Sequence, residues 1–504
     1  MKSLDTVLHR GSWIVAVSYP LYLGMIRWCN VVKNLRVHEV LGSSLRKHNT
    51  EVNMKVAVNF EQIRKNIKPM HAVVQVPFTG GFNQLNFTPM QILKDANIPY
   101  SRLHDVGGPF GGFRYVDIPN LFRDFNADEN DPASYDFAFT DELIKGMMSY
   151  GVAPYFRLGV TIENQCNIKA YRIYPPEDYG KWARICEHVI RHYNEGWADG
   201  FHFGIKYWEI WGEPDNRPDP MMNQLWRGTA EQYYELYNVA AKHLKACFGD
   251  SIKVGGYSAC GFYGIFADPE KYGLSVPKRE GERYNSEKEK YRLAFLYGFL
   301  DYIKERSTPI DFFSWHTYDG IDTITVEADF VAKVLAQYGL GHIETHLNEW
   351  NLSHSRKINR DTSYASANVM AIMLAMQQKP TDMLMYYDAV YLAVNSYGGF
   401  YNLATYAPSC VYYAFRAFGE LYALGNEVQC HCDGDRVYAL AAVDGEKRAM
   451  ILSNIAQATE IETDLPEGFS VYVLDQDHFL TKTEWDPGKF TLNENTVVLI
   501  KNFA

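Results

Sequence analysis

From about residue 71 the chain alternates short β-branched or aromatic runs with stretches whose apolar residues recur every three or four positions. Eight runs read as strands: HAVVQVPF (71–78), PYSRLHD (99–105), VAPYFRLGV (152–160), IKYWEIW (205–211), IKVGGYS (252–258), IDFFSWHTY (310–318), HIETHLNEW (342–350) and MLMYYD (383–388). Helical patterns separate them, so the strands are expected to run parallel. Eight parallel strands with intervening helices close most naturally into an α/β fold of the (β/α)8 TIM barrel type.

Capping residues sharpen several of the helices. Asp178 precedes a stripe of Trp182, Ile185, Cys186, Val189, Ile190 and Tyr193, and Gly196 follows its end. Thr229 and Gln232 form a capping box ahead of Tyr233, Leu236, Tyr237, Ala240 and Leu244, with Gly249 beyond. Thr140 and Gly151 bracket a third helix. The loops at 106–139, 161–177, 214–228 and 259–290 are long, and in a barrel the loops after strands form the face that carries chemistry. The charge run KREGERYNSEKEK (278–290) is expected to be an exposed loop, a solvated lid being the other reading.

After SCVYYAFRAFGELYAL (409–424) the pattern changes to period-two hairpins: RVYALAAVDGEKRAMILSNI, FSVYVLDQDHFL and FTLNENTVVLIK, with Asp444-Gly445 as a turn. The expected organisation is a barrel over 54–424 and a small C-terminal antiparallel β-sandwich domain over 425–504, completed by a strand near 55–60. Residues 1–53 form an extension. Its apolar stretch SWIVAVSYPLYLGMI (12–26) is shorter than the roughly 20 residues a membrane-spanning helix needs, and no A-x-A-like cleavage site follows. A cytoplasmic chain starting naturally at Met54 is the first expectation. Secretion or anchoring through 12–26 is the second.

Composition narrows the class. The 504 residues are 47% apolar and 15% aromatic, with 49 Lys plus Arg against 60 Asp plus Glu, a formal charge of −11. That describes an acidic globular chain, not a disordered segment, a disulfide miniprotein or a phosphate-neutralising surface. Nucleic acid and membrane are not expected partners, and homo-oligomerisation stays open. The eight cysteines (29, 166, 186, 247, 260, 410, 430, 432) include no CxxC pair, and Cys186 and Cys247 fall on apolar helical stripes, so most read as buried free thiols. Cys430-His431-Cys432 lacks a second cluster at zinc-ligand spacing and reads as strand. No metal and no organic cofactor is expected.

Two segments place a glutamate at the carboxyl end of a strand: KYWEIWGEPDN with Glu213 and ETHLNEWN with Glu349. Strand-end side chains project into a barrel's mouth. Two facing carboxylates are what glycoside hydrolysis requires, one protonating the departing oxygen and the other attacking the anomeric carbon or activating water. Alternation puts Tyr207, Glu209, Trp211 and Glu213 on one face. Glu209 lies deeper and is expected to pair with Arg102 or Arg157, whereas Glu213, next to Pro214, lies at the rim as the acid. The same parity collects Arg102 with His104, and Ser314 with His316 and Tyr318. Trp211, Trp315 and Trp350 offer flat faces for sugar rings, although each taken alone reads as core.

WEIWGEPDN, then the DFFSWHTY strand, then LNEWN, together with YSRLHD, resembles glycoside hydrolase family 39. This family belongs to a large (β/α)8 clan of retaining enzymes and includes β-xylosidases and α-L-iduronidases. The resemblance spans roughly residues 70 to 500. It implies Glu213 as general acid/base, Glu349 as nucleophile, His104 and His316 as contacts to the glycone, and Tyr318 as a hydrogen-bond partner of the nucleophile. Families of the clan usually carry Asn just before the acid/base, where its amide binds the sugar 2-hydroxyl. Here that residue is Gly212, and Asp105, Asp215 and Asn216 are the candidates to replace it.

The resulting expectation is double displacement by an exo-acting, β-xylosidase-like enzyme on plant-type oligosaccharides, with a glycoside as partner. The charge of Glu349 is expected to raise the pKa of Glu213 toward neutrality. Arabinosidase, galactosidase, glucosidase or iduronidase specificity, transglycosylation, and a carbohydrate-binding barrel without catalysis are the alternatives.

Overall fold

The computed structural model describes residues 53–77, 90–104, 116–161, 173–352, 361–389, 399–401 and 407–504. Strand β1 (Asn53–Asn66) belongs to a sheet described below. The next eight are β2 (Ala72–Val74), β3 (Tyr100–Leu103), β4 (Ala153–Leu158), β5 (Tyr207–Ile210), β6 (Lys253–Ala259), β7 (Phe312–Tyr318), β8 (Glu344–Asn351) and β9 (Met383–Tyr386). They close in chain order into a parallel barrel, each falling within or across one of the eight runs read from the pattern.

Alternation along the strands builds two cores. Ala72, Val74, Tyr155, Tyr207, Phe312, Met383 and Met385 point inward and pack as one buried cluster. Their neighbours Val73, Phe156, Trp208, Phe313, Leu347 and Leu384 point outward beneath the helices. The helix Tyr179–Asn194 starts where Asp178 accepts from the Lys181 amide, and the helix Ala230–Phe248 starts at the complete Thr229–Gln232 capping box. The third helix runs Ala138–Ser149, so Thr140 sits inside its first turn instead of capping it.

Period-two alternation is interrupted at three places near the barrel mouth. In β8, Trp315 faces Leu347 but His316 faces Glu349, so Asn348 is an extra residue. In β6, Gly256 faces Phe313 while Ala259 faces Trp315, again one residue too many. Bulges of this kind re-aim the side chains that follow. After β5 the chain kinks instead, with Trp211 at φ 69° and Glu213 at φ 47°, conformations rarely adopted by residues other than glycine.

The C-terminal strands are β10 (Asn426–Cys432), β11 (Val437–Asp444), β12 (Lys447–Asn454), β13 (Thr459–Thr463), β14 (Ser470–Leu474), β15 (Phe479–Thr483), β16 (Lys489–Leu492) and β17 (Thr496–Lys501). With β1 they form one nine-stranded sheet in the order β15-β14-β17-β12-β11-β10-β1-β13-β16, antiparallel except for β1 with β13. Residues 54–66, counted with the barrel in the sequence boundaries, thus lie in the sheet, because their pairing partners are β10 and β13. Met450 and Leu452 face a cluster with Val56, Ile461 and Phe490. Ala449 and Ile451, on the opposite face, join the core that includes Ala367, Ala371, Phe415 and Phe418 from the helices Ser363–Gln377 and Cys410–Leu424. Ser453 Oγ donates to the Ala367 carbonyl at 2.8 Å, and Lys501 reaches Glu420 at 2.5 Å.

The charge run is only in part an exposed loop. It holds the short helix Glu282–Asn285 and the start of the helix Glu287–Glu305. Two of its arginines dock on aromatic faces, Arg279 over Phe266 and Arg283 over Tyr263, and Arg283 donates to the Tyr318 carbonyl at 3.0 Å. In β10, Cys430 and Cys432 pack against the sheet's own core while His431 pairs outside with Asp433. Alternation therefore separates the three. Residues 1–52, with the 12–26 stretch, lie outside the described residues, among which no helix is long and apolar enough to cross a membrane.

Gly255 tests the close packing of β6 on β7. A Cβ there would lie 2.2 Å from the Phe312 carbonyl oxygen and 2.6 Å from its ring, whereas a Cβ at Gly320 meets nothing within 4 Å. Gly255→Ala is expected to destabilise the protein by about 2–3 kcal/mol in urea unfolding. Gly320→Ala, at a helix N-cap, should cost less than about 1 kcal/mol.

Candidate active site

The kink after β5 decides what faces the barrel mouth. Trp211 turns outward, packs on Trp182 and Trp226, and donates Nε1 to the Leu225 carbonyl at 2.9 Å. Glu213 turns back in and keeps a partly exposed carboxyl. Its Oε1 meets His316 Nδ1 at 2.8 Å, and its Oε2 accepts from Asn216 Nδ2 at 2.8 Å. Trp211 and Glu213 therefore do not share a face, because the strand ends at Ile210.

Glu349 reaches the same place through the β8 bulge. Strict alternation from His346 would turn residue 349 outward and Trp350 inward. The extra Asn348 reverses that, so Glu349 points in. Trp350 is fully buried among the outward residues, with its ring beside Tyr386. Arg102 Nη1 donates to Glu349 Oε1 at 2.7 Å, and the Tyr318 hydroxyl donates to Oε2 at 2.6 Å. His316 Nδ1 also stands 3.4 Å from Glu349 Oε2, so one ring nitrogen touches both carboxylates. The oxygens of Glu213 and Glu349 and this nitrogen all lie within 4.8 Å of one another. A cation would fit between them only by neutralising both acids.

Beneath lies a buried polar layer. Arg102 Nε donates to Glu209 Oε2 at 2.7 Å, and Arg102 Nη2 to Ser258 Oγ at 2.9 Å. Glu209 Oε1 also accepts from Ser258, Ser314 and Asn348 at 2.6 to 2.7 Å. Burial alone would raise the pKa of Glu209, but the Arg102 charge and these hydrogen bonds hold it below its ordinary value. Arg157 pairs instead with Asp117 and donates to His104 Nδ1 at 2.9 Å. A guanidinium only donates, so His104 carries its proton on Nε2, 3.9 Å from Glu349 Oε1. Burial, then the charges of Arg157 and Arg102, keep the His104 pKa well below its ordinary value.

Glu213 departs from expectation. Burial pushes its pKa up, but the hydrogen bond and charge of His316, the Arg292 charge and the Asn216 amide outweigh it and hold Glu213 down at about 2. The expected rise toward neutrality considered only the charge of Glu349. Tertiary structure inserts a histidine between the two acids. Asp215, by contrast, is pushed up to about 7 by burial.

Other expected residues fall differently. Trp315 and Trp350, like Trp211, are core because they neighbour inward-facing residues on their strands. Asp215 is wholly buried, and both its oxygens accept from the Cys260 amide at 3.2 Å. A Cβ at Gly212 would stand 3.2 Å from Arg102 Nη2 and 3.5 Å from Arg157 Cδ. Position 212 therefore faces the guanidiniums. Asp105 lies outside the described residues. The sequence reading left Arg102 and Arg157 open as partners of Glu209; Glu209 pairs with Arg102, whose second contact, to Glu349, that reading missed. Its shared face with His104 carried that signal. Asn348 and Arg292 left no comparable trace.

The sequence profile of Glycosyl hydrolases family 39 matches residues 94–391. A β-xylosidase of Geobacillus stearothermophilus is 22% identical over 412 residues, 71% of this chain and 72% of that one. A second, from Caldicellulosiruptor saccharolyticus, is 22% identical over 378 residues, 68% and 69% of the two chains. Among solved structures, a glucosidase from Croceicoccus marinus superposes with a TM-score of 0.69 at 21% identity, covering 90% of this chain and 99% of that one. A family 39 β-xylosidase from Caulobacter crescentus gives 0.61 at 15%, covering 89% and 99%. These structural likenesses bear on the fold alone. The chain belongs to glycoside hydrolase family 39. It is an O-glycosyl hydrolase whose sequence is β-xylosidase-like, and its substrate is a glycoside.

Two measurements probe the site without substrate. Glu209→Gln leaves the buried Arg102 with Glu349 as its single carboxylate, which should destabilise the fold by about 3 kcal/mol in denaturant unfolding. Glu213 has a folded-state pKa below its usual 4.5, so it stabilises the protein above that pH and loses the contribution as pH falls toward about 2. Glu213→Gln should accordingly lose less stability than wild type between pH 4.5 and 2.

Proposed function

We propose that this protein is a retaining, exo-acting, β-xylosidase-like glycoside hydrolase, with Glu349 as nucleophile and Glu213 as general acid/base. The observation that carries the reading is the contact of both carboxylates with the single His316 Nδ1, at 2.8 and 3.4 Å. One oxygen of each acid lies within 4.8 Å of the other, which supports the separation of about 5–5.5 Å used by retaining enzymes over the 6.5–9.5 Å that leaves room for an inverting water. Arg102 and Tyr318 occupy one oxygen of Glu349 each, which fixes the orientation of the attacking carboxylate.

The reaction starts as Glu349 attacks the anomeric carbon while Glu213 gives a proton to the leaving oxygen. That proton lies in the hydrogen bond between His316 Nδ1 and Glu213 Oε1, from which Glu213 delivers it. Once the glycosyl-enzyme has formed, the Glu349 charge is neutralised, and Glu213 takes a proton from the water that releases the sugar. Asn216 keeps the Glu213 carboxylate oriented through both halves.

On the glycone side, His104 Nε2–H is the neutral donor beside the nucleophile, and His316 lines the same wall. Asp215 and Asn216 are engaged with Cys260 and Glu213, and His104 is a candidate to replace the amide missing at Gly212 because its Nε2 stands 3.9 Å from Glu349 Oε1. Asp105, next to His104 in the sequence, is the remaining candidate. The curated relatives favour xylosides as the glycone.

The test is nitrophenol release from aryl β-D-xyloside, α-L-arabinoside, β-D-galactoside, β-D-glucoside and α-L-iduronide. Wild type should prefer the xyloside. Glu349→Ala should abolish release on every substrate, and azide should restore it as a glycosyl azide of inverted anomeric configuration. Glu213→Ala should lose about 10²- to 10⁴-fold on a glycoside whose leaving group needs protonation, and much less on nitrophenyl substrates. Unchanged turnover in Glu349→Ala would sink the assignment of the nucleophile. A product of inverted configuration would sink double displacement.

A further inference from the structure

On the barrel's outer layer the helices Tyr179–Asn194 and Ala230–Phe248 pack side by side. Three side chains of different donor chemistry meet where they touch. Glu187 comes from the first helix. His243 and Cys247 come from the second, four residues apart and so stacked on one face. His243 Nε2 lies 2.7 Å from Glu187 Oε2 and 3.8 Å from Cys247 Sγ, and the three ligand atoms all fall within 4.8 Å of one another. All three residues are partly exposed, so an ion has access. None of them takes part in the chemistry at the barrel mouth.

We propose that Glu187, His243 and Cys247 form a binding site for one zinc-class divalent cation, with water completing a tetrahedron. Ligand bonds of about 2.0–2.3 Å place pairs of tetrahedral ligands about 3.3–3.8 Å apart. The observed separations of 2.7 and 3.8 Å bracket that spacing, and small side-chain rotations reach it. One carboxylate oxygen, one imidazole nitrogen and one sulfur form a set that selects zinc-like ions over magnesium or calcium. Arg191 Nε donates to Glu187 Oε1 at 2.8 Å, which leaves Oε2 turned toward His243. The same guanidinium also faces the Cys247 thiol, so the ion displaces it from the sulfur while it keeps its bond to Glu187.

The proton shared by His243 and Glu187 is what the cation replaces. Burial alone would raise the Glu187 pKa, but Arg191 and His243 more than reverse this and keep the carboxyl ionised. Cys247 is different, since burial and then the Glu187 charge push its thiol up. A zinc-class ion binds the thiolate, so it must expel the proton of Cys247. Affinity rises with pH as a result. The charged groups facing the thiol are Glu187 and Arg191. Once bound, the ion clips together the helices that follow β4 and β5, and stabilises the fold by mass action.

The experiment titrates the metal-stripped full chain with Co²⁺ and follows near-ultraviolet and visible absorption. One equivalent should give a thiolate-to-cobalt charge-transfer band with the visible bands of tetrahedral cobalt. The signal should grow with pH, disappear on adding Zn²⁺, and accompany a higher unfolding temperature. Cys247→Ser, which alters a partly exposed side chain, should keep the native circular dichroism and lose the band, and His243→Gln should lose binding. Glu349→Gln should keep both, which separates this site from the sulfur-free cluster at the barrel mouth. No thiolate band in wild type, a band that survives Cys247→Ser, or a band lost in Glu349→Gln would each overturn the proposal.

Discussion

One guanidinium holds the interior together. Arg102 is wholly buried and spends its donors on two carboxylates and a hydroxyl: Glu209 below, Glu349 above and Ser258 to the side. Taking a cation out of water costs several kcal/mol, and a barrel interior recovers that only when every donor finds an acceptor in good geometry. Ser314 and Asn348 complete the shell around Glu209. Residues from β3, β5, β6, β7 and β8 thus converge on one charge pair. The structural layer and the candidate nucleophile share a single support, so the carboxylate proposed to attack the sugar is fixed before any ligand arrives.

That convergence needs interruptions in the strands. A regular β8 would present His346, Asn348 and Trp350 inward, and Glu349 would face the helices. The bulge lets Asn348 reach Glu209 while Glu349 reaches Arg102 and Tyr318. The bulge in β6 serves Ser258 in the same way, and the left-handed residues after β5 bring Glu213 back over the mouth. Irregular backbone collects where the site is, as expected when strain is stored at functional positions and offset by the packing around it.

Much of this was legible without coordinates. All eight barrel strands, the Asp178 cap, the Thr229–Gln232 capping box and the C-terminal change to hairpins follow from periodicity and capping chemistry. Burial and parity called for a strand-interior arginine beside Glu209 and left Arg102 and Arg157 equal, and the closed barrel selects Arg102. Parity failed for Trp211, because a left-handed kink leaves no mark on hydrophobic spacing. The expected rise in the Glu213 pKa failed as well, because folding brings His316, more than 100 positions away in the chain, against that carboxylate.

The sequence by itself determined which elements form, that they alternate as strand and helix, and which residue types end each strand. Those are local properties, set by side-chain periodicity and by the first and last turns of helices. Tertiary structure decided which strand-end residue faces its counterpart and which partner sets its charge. Register and bulges arise only when neighbouring strands pair. A pKa is likewise set by whatever the closed barrel brings within hydrogen-bonding distance, here one imidazole nitrogen between two carboxylates.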